Sequence, residues 1–208
     1  MSYPVTVRWL GHSAFKITAG EHSLVLDPFQ PGSIPGFGDI DETADIVLCS
    51  HGHYDHGYTE AVKLTGIHDV PFTVTELSTY HDDVQGEKRG KNTIHIISVD
   101  DVRIAHLGDI GCELTDEQAS ALHGVDVLLI PVGGFYTIDA AAAKSMIDII
   151  EPRITVPMHY RTERFGFPVL TPIEDFLALC NSYTALHSDT FVVNNEVSGV
   201  IVLDYPEK

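Results

Sequence analysis

Cysteine and long apolar runs are scarce in this chain of 208 residues. Its three cysteines, Cys49, Cys112 and Cys180, are too few and too far apart for a disulfide framework or a cysteine-based zinc knuckle. No apolar run reaches the roughly 18 residues of a membrane-spanning helix. Met1–Pro4 has no cationic segment followed by an apolar one, so no signal peptide is expected. These absences predict a cytoplasmic protein that does not bind membranes.

Positive charge is also scarce, because 12 lysines and arginines face 30 aspartates and glutamates, for a net charge of −18. Like charges repel at long range, so neither nucleic acid nor an anionic membrane is an expected partner. A small anionic substrate remains compatible, because bound metal cations would dominate the local field. The expected partner is therefore a small molecule. The composition leaves open whether the chain forms a homo-oligomer.

Short apolar runs that end at glycine, proline or aspartate predict a strand-rich chain with a few helices. The predicted strands are Val5–Leu10, Ala14–Thr18, Ser23–Leu26, Asp45–Cys49, Phe72–Val74, Val102–Leu107, Asp126–Ile130, Ile154–Met158 and Thr190–Leu203. Helices are predicted after Thr115 as N-cap, over Asp139–Ile150 and over Thr171–Cys180. Both halves share a strand–Asp, spacer, Asp–strand pattern, which indicates two related ββ units. Without a clear linker, residues 1–208 are predicted to form one α/β domain.

Four side chains that bind metals stand within His51-Gly52-His53-Tyr54-Asp55-His56. In extended backbone His51 and His53 project to the same side, so both imidazoles can bind one cation. A following turn into a helix would direct Asp55 and His56 towards a neighbouring position. A polar surface loop is the alternative. It is disfavoured because so many clustered ligands need the charge compensation that a metal supplies.

One segment cannot complete two metal sites, so further ligands are expected at other strand ends. Asp109 ends a buried strand, and a carboxylate can bridge two cations about 3.5–4 Å apart. His159 follows the strand that ends at Met158. The alternatives are a turn or capping role for Asp109 and a core position for His159.

The remaining ligand is expected among His68, His81, His95 and His106. We prefer His81, because it lies in a polar loop after a strand. Strand alternation places His106 on the face opposite Asp109, which favours a supporting position. His95 occupies an ordinary strand position.

In chain order, His51-x-His53-x-Asp55-His56, His81, Asp109 and His159 resemble the ligand pattern of the metallo-β-lactamase superfamily. Further motifs are similar to one branch of small metal-dependent hydrolases, related to ascorbate-6-phosphate lactonase. These motifs are Gly11-His12-Ser13, Leu26-Asp27-Pro28-Phe29, Arg89-Gly90-Lys91-Asn92, His106-Leu107-Gly108-Asp109, Pro131-Val132-Gly133-Gly134 and Pro157-Met158-His159-Tyr160.

The resemblance implies a four-layer αββα sandwich with a two-metal site at one edge of its two sheets. It assigns His51, His53 and His81 to one metal. It assigns Asp55, His56 and His159 to the other, with Asp109 as the bridging ligand. Two divalent cations are implied, with zinc foremost and manganese, iron or nickel as alternatives. No cysteine stands where zinc β-lactamases place a second-site ligand, so lactam hydrolysis is not expected. The chain is shorter than the ascorbate-phosphate lactonases, which weakens the expectation of a sugar-phosphate substrate.

Such a site predicts hydrolysis of a small ester, lactone or phosphodiester by metal-activated water. Asp55 would orient the nucleophile, and His106 or Tyr160 would assist the leaving group. Asp27 and His12 are candidates for fixing imidazole tautomers, with a turn aspartate and a surface histidine as the alternatives.

The roles of one further segment and two arginines remain open, and so do two alternative functions. Gly133–Tyr136 is a candidate pocket wall or a simple turn, and Arg161 and Arg164 are candidate anion contacts or solvated loop residues. An iron-dependent oxidoreductase similar to persulfide dioxygenases is one alternative function. A di-iron oxygen-reducing site is disfavoured, because a carboxylate would be expected where His53 stands. A non-catalytic metal-binding module is the other alternative.

Overall fold

The computed structural model describes residues 4–206, so the expectation for the first residues of the chain concerns positions that lie mostly outside this range. Within it, short strands dominate. In chain order they are β1 Val5–Gly11, β2 Ala14–Ala19, β3 His22–Leu26, β4 Glu42–Ala44, β5 Ile46–Leu48, β6 Val62–Leu64, β7 Thr73–Tyr80, β8 Lys91–Val99, β9 Val102–His106, β10 Val127–Pro131, β11 Ile154–Met158, β12 Tyr183–Ala185, β13 Thr190–Val193 and β14 Gly199–Val202. The helices are α1 Asp116–Leu122, α2 Ala140–Ile150, α3 Ile173–Leu177 and a 3₁₀ turn at Thr59–Ala61.

Two mixed sheets form the body of the fold. The smaller has the order β13-β1-β2-β3-β5 and the larger has the order β12-β14-β11-β10-β9-β8-β7, with β4 and β6 paired separately. Buried apolar side chains from both sheets join one core, which includes Val7, Ile17, Ile97, Leu129 and Val156. The predicted α/β architecture of two sheets with few helices is thus observed.

Parallel pairing determines which strand ends lie together. β3 pairs in parallel with β5, and β10 pairs in parallel with both β9 and β11. Parallel neighbours bring their carboxyl ends to the same sheet edge, where ligands bind in α/β folds. Asp27, the histidine cluster, Asp109 and His159 follow β3, β5, β9 and β11 respectively.

The helix predictions are partly confirmed. Thr115 caps α1 in a capping box with Gln118, and Asp139 caps α2. The helix predicted over Thr171–Cys180 is shorter, because residues beyond Leu177 bond in tighter turns such as Cys180 N to Leu177 O. No helix within residues 4–206 is both long and apolar enough to cross a membrane.

Two strand predictions need correction. The stretch Thr190–Leu203 is two strands in different sheets, because a polar turn at Asn194 separates them and the Asn194 side chain accepts a hydrogen bond from Glu196 N. The strand predicted at Phe72–Val74 continues to Tyr80 as β7. His81 is therefore the first residue of the polar loop 81–90, directly after the end of β7.

Candidate metal centre

Asp109 lies at the centre of a cluster of buried histidines. Its Oδ2 atom is 3.2 Å from His56 Nε2, 3.3 Å from His81 Nε2 and 3.2 Å from His159 Nε2. These residues come from three separate strand ends and from the histidine-rich segment. The structure therefore brings the predicted bridging carboxylate into contact with side chains from both predicted ligand sets.

The donor atoms form three overlapping groups, and within each group they lie within 4.8 Å of one another. The groups are His51, His53 and His81; His12, Asp55, His56 and His159; and His51, His56 and Asp109. The first matches one predicted ligand set. The second matches the other set with His12 added, and the third connects the two. Residues 53–57 make a tight turn rather than the anticipated helix, with both His56 N and Gly57 N bonded to His53 O.

Many buried polar atoms of this cluster have no hydrogen-bond partner within residues 4–206. They are Nε2 of His51 and His56, Nδ1 of His81, both ring nitrogens of His12 and His159, and Oδ1 of Asp109. Each unsatisfied buried polar group costs about 1–3 kcal/mol. Such a concentration of unpaired donors and acceptors at one point fits bound divalent cations, for which imidazole and carboxylate are common ligands.

Two of the clustered imidazoles are held in the form that binds metals. Burial, together with the neighbouring His56, lowers the pKa of His51 to about 3. Burial, together with the neighbouring His159, lowers the pKa of His12 to about 3. Both rings are therefore neutral near pH 7, and a neutral imidazole is the form that ligates a cation.

Asp27 orients two of the histidines. The Oδ2 atom of Asp27 is 2.7 Å from His56 Nδ1 and accepts a hydrogen bond from Ser50 Oγ at 2.6 Å. Ser50 Oγ in turn lies 3.0 Å from His51 Nδ1. This network assigns the protons to both Nδ1 atoms and leaves both Nε2 atoms facing the cluster. Burial favours the neutral acid, but His106 and the hydrogen bonds from His56 and Ser50 lower the pKa of Asp27 to about 2.

Asn92 fixes the turn that presents Asp109. Its side chain accepts a hydrogen bond from Asp109 N at 2.9 Å and donates one to Leu107 O at 2.9 Å. Between them Gly108 has φ 56°, and a Cβ there would lie 2.4 Å from Asn92 Oδ1. Asn92 was not among the functional residues predicted from the sequence. The available signal was an asparagine directly before the run Thr93–Val99 of strand-forming residues, because asparagine is depleted in strands.

Neither residue predicted to assist the leaving group lines the cavity that opens over the histidine cluster. His106 is fully buried, with Nε2 2.8 Å from Ser13 O and Nδ1 accepting from Gly108 N at 3.1 Å. Both of its ring nitrogens are thus in contact with backbone atoms. Tyr160 is buried against Trp9, with ring centroids 5.8 Å apart, and burial raises the pKa of Tyr160.

Arg161 and Arg164 also lie away from the cluster. Arg161 Nε donates to Leu170 O, and Arg164 pairs with Asp204 at 2.9 Å. Both arginines line a separate cavity together with Glu163 and Glu174. The structure therefore places neither of these candidate anion contacts beside the histidines.

A cavity of about 220 Å³ opens over the cluster. Its wall combines metal-binding side chains, aromatic rings and one arginine: His53, Tyr54, Asp55, His81, Arg89, Asp109, Tyr136 and Phe167. Tyr136 belongs to the Gly133–Tyr136 segment, whose role as a pocket wall the sequence left open. Arg89 was quoted in a motif but given no role.

Arg89 is held at the cavity wall by two features of its surroundings. Its Nη2 atom donates to Phe135 O at 3.1 Å, and its guanidinium carbon lies 5.7 Å from the centre of the Tyr136 ring. The preceding loop is organised by Asp82, whose carboxylate accepts hydrogen bonds from the backbone N–H groups of Val84, Gly86, Lys88 and Arg89 at 2.7–3.0 Å.

A sandwich of two mixed sheets, with histidine and aspartate donors clustered at strand ends, is the arrangement expected of the metal-dependent class that the sequence resembles. The model of one protein family, the beta-lactamase superfamily domain, matches residues 6–159, which is most of the chain. The chain therefore belongs to the metallo-β-lactamase superfamily, as the sequence predicted, and it is a metal-dependent hydrolase.

Similar proteins agree with this placement. A UPF0173 metal-dependent hydrolase of Archaeoglobus fulgidus is 29% identical, over 75% of this chain and 83% of that protein. A solved structure from Thermotoga maritima, assigned as a zinc-dependent hydrolase of the superfamily, is 30% identical with a TM-score of 0.76, over 96% of this chain and 98% of that chain. A metallo hydrolase from Ignicoccus hospitalis shares the fold at 21% identity and a TM-score of 0.62, over 85% and 91% of the two chains. The narrower likeness to ascorbate-6-phosphate lactonase stays a prediction.

Proposed function

We propose that this chain hydrolyses a small anionic ester, lactone or phosphodiester with two divalent cations. The observation that carries the proposal is the arrangement of donor groups that meet at Asp109 on the wall of a cavity. Zinc is the first candidate for the cations, with manganese, iron and nickel as alternatives.

Each predicted ligand has a place in this arrangement. His51, His53 and His81 would hold one cation, and a second set would hold the other, with Asp109 between them. The second set is Asp55, His56 and His159. Four of these residues also line the cavity, namely His53, Asp55, His81 and Asp109, so a substrate there would lie next to both cations.

If bound by these residues, divalent cations would supply activation of water near neutral pH and stabilisation of negative charge that develops on the substrate. Asp55 lies at the cavity wall with its side chain 13% exposed, so it can accept a hydrogen bond from the attacking water. Burial opposes ionisation of Asp55, but its neighbours His12 and His56 hold its pKa well below the usual value. It is therefore a carboxylate throughout the neutral pH range. Tyr54 and Tyr136 line the cavity. Their hydroxyl groups are therefore the candidate proton donors, in place of His106 and Tyr160.

The cavity limits the substrate in size and charge. Its volume of about 220 Å³ is below the roughly 300–1,000 Å³ that is usual for drug-sized ligands. Arg89 is the one arginine or lysine among the described residues that line it. In a chain of net charge −18, the guanidinium group of Arg89 would attract a carboxylate or phosphate of the substrate.

We also infer a cytoplasmic, single-domain protein without nucleic acid or membrane partners. The support is its negative charge and its three free cysteines, which suit a reducing compartment. Self-association stays a prediction.

The hydrolytic function is tested by removing and restoring the cations. We expect dialysis against a chelator to abolish turnover of at least one substrate in a panel of esters, lactones and phosphodiesters, and addition of zinc, manganese, iron or nickel salts to restore it. Metal analysis and oxygen uptake are measured in parallel. Oxygen consumption with a persulfide would favour the redox alternative. A fully loaded protein without turnover on the panel would favour a binding module.

The role of Arg89 is tested with a charged and a neutral substrate of the same reaction type. Arg89→Gln should raise the KM for the anionic substrate about tenfold or more, because a charge-assisted hydrogen bond contributes about 1.5–3 kcal/mol. The KM for the neutral substrate should change little. Lys88→Gln is the matched control, since it removes the same charge from a neighbouring side chain that pairs with Asp83. Equal effects of Arg89→Gln on both substrates would contradict anion recognition.

A further inference from the structure

We infer that His12 is an additional metal ligand in the group formed by Asp55, His56 and His159. The inference rests on the proposed two-cation function. With Asp109 shared, the cation in this group would have five protein ligands. The cation held by His51, His53 and His81 would have four.

His12 sits at the corner between β1 and β2, far from the other ligands in sequence. Its side chain is fully buried, and its ring centroid is 4.1 Å from that of His159 and 5.4 Å from that of His56. Its backbone carbonyl accepts hydrogen bonds from Trp9 Nε1 at 2.9 Å and from His159 N at 3.4 Å. The loop that carries His12 is thus bonded directly to the loop that carries His159.

The distance between His12 and Asp55 fits two ligands of one cation better than it fits a hydrogen bond. His12 Nε2 is 3.6 Å from Asp55 Oδ2, which exceeds hydrogen-bond length. Ligand atoms about 2.1 Å from the same metal lie about 3.0–4.2 Å apart for angles between 90° and 180°. The observed separation falls within that interval.

His106, which is also fully buried near the cluster, differs from His12 in its hydrogen bonds. Both ring nitrogens of His106 contact the backbone, at Ser13 O and Gly108 N. Neither ring nitrogen of His12 has a hydrogen-bond partner within residues 4–206. His12 shares this property with His159, which the sequence predicted as a ligand. An imidazole confined to the interior in this way needs a partner, and a cation between His12, Asp55, His56 and His159 supplies one.

The backbone at His12 is also in an unfavourable conformation. Its φ is 53°, in the left-handed region, which costs a residue other than glycine about 1–2 kcal/mol. His159 has φ 54°, and Asp27, which orients His56, has φ 47°. Left-handed residues other than glycine concentrate at functional sites. Glycine at position 12 would relieve this strain. The presence of histidine there, despite its cost, indicates that the imidazole has a role.

A fifth protein ligand changes which metal suits the group. Structural zinc is almost always four-coordinate, and catalytic zinc usually has three protein ligands. Five donors therefore favour a cation that accepts five or six ligands, such as manganese, iron or nickel. The three-histidine group with Asp109 remains suited to zinc.

The test uses His12→Gly, which removes the imidazole and relieves the backbone strain, and His95→Gln as control. His95 is a buried histidine of β8 that belongs to none of the donor groups. Each protein is loaded with Co(II), and its hyperfine-shifted imidazole N–H signals are counted by proton NMR. We expect one signal fewer in His12→Gly. In chelator competition, the affinity of this variant for the second cation should be at least tenfold lower. Added imidazole should partly restore that affinity. His95→Gln should match the parent protein.

A second variant separates ligation from hydrogen bonding and guards against misfolding. Asparagine tolerates the left-handed region, so His12→Asn keeps a polar group on the same backbone. Weak second-site binding in His12→Asn supports ligation, whereas full affinity in either variant overturns it. If the unmodified chain binds two cations and hydrolyses the panel while the variants bind equally well, only the role of His12 fails. If the unmodified chain binds no cation, the proposed function itself fails.

Discussion

Asp109→Ala is expected to lose at least one cation and nearly all hydrolytic activity. Asp109 Oδ2 lies 3.2–3.3 Å from the Nε2 atoms of His56, His81 and His159, so this one carboxylate faces both donor groups. Loss of a residue that merely supports a ligand already costs about 10–100-fold in metal affinity or activity, and loss of a shared ligand should cost more. Metal content is measured by elemental analysis after dialysis, and turnover is measured at saturating metal.

The control for Asp109 is Asp126→Asn, which removes one carboxylate charge far from the cavity. Asp126 forms a partly exposed pair with Arg153 at 2.9 Å, so its loss should affect stability modestly and leave metal content unchanged. An Asp109→Ala protein with full metal content and full turnover would refute the bridging role. Circular dichroism of both variants establishes that loss of metal is not loss of fold.

The second large effect is expected from His81→Ala, which should empty the group formed with His51 and His53. His81 is the ligand that the sequence distinguished least clearly from other histidines. The variant should bind about one cation instead of two and lose most turnover, because removing one of three imidazoles leaves an incomplete site. Stoichiometry by isothermal titration, together with turnover, measures both effects.

His106→Gln is the matched comparison for His81→Ala. Glutamine can keep a hydrogen bond to Ser13 O or Gly108 N, so this variant should retain both cations and lose mainly stability. If His106→Gln loses a cation while His81→Ala keeps both, the ligand assignment must be exchanged between the two residues.

The sequence predicted most of the donor cluster at Asp109, because its members carry local signals. Four of them stand within His51–His56, and Asp109 and His159 each follow an apolar strand, so strand ends and residue types sufficed. His81 was also placed after a strand, although β7 proved longer than its apolar start indicated. These features depend on chemistry and periodicity within a few residues of each ligand.

What the sequence could not reveal depends on contacts between distant segments. The position of His12 follows from the packing of the β1–β2 corner against the loop after β11. The roles of Asn92 and Arg89 depend on partners 17 and 46 positions away, at Asp109 and Phe135. The leaving-group role predicted for His106 could not be judged without its backbone partners, Ser13 O and Gly108 N, which occupy both ring nitrogens.

The distribution of the ligands along the chain also constrains the order of folding. The smaller sheet supplies His12 and the His51–His56 segment, and the larger sheet supplies His81, Asp109 and His159. A nascent chain that ends before residue 159 therefore lacks part of the centre, however well its first sheet has formed. Complete loading requires that residue 159 has been synthesised, and the free energy of cation binding would then link the two sheets. In this protein the amount of bound metal would report that both sheets have folded and docked.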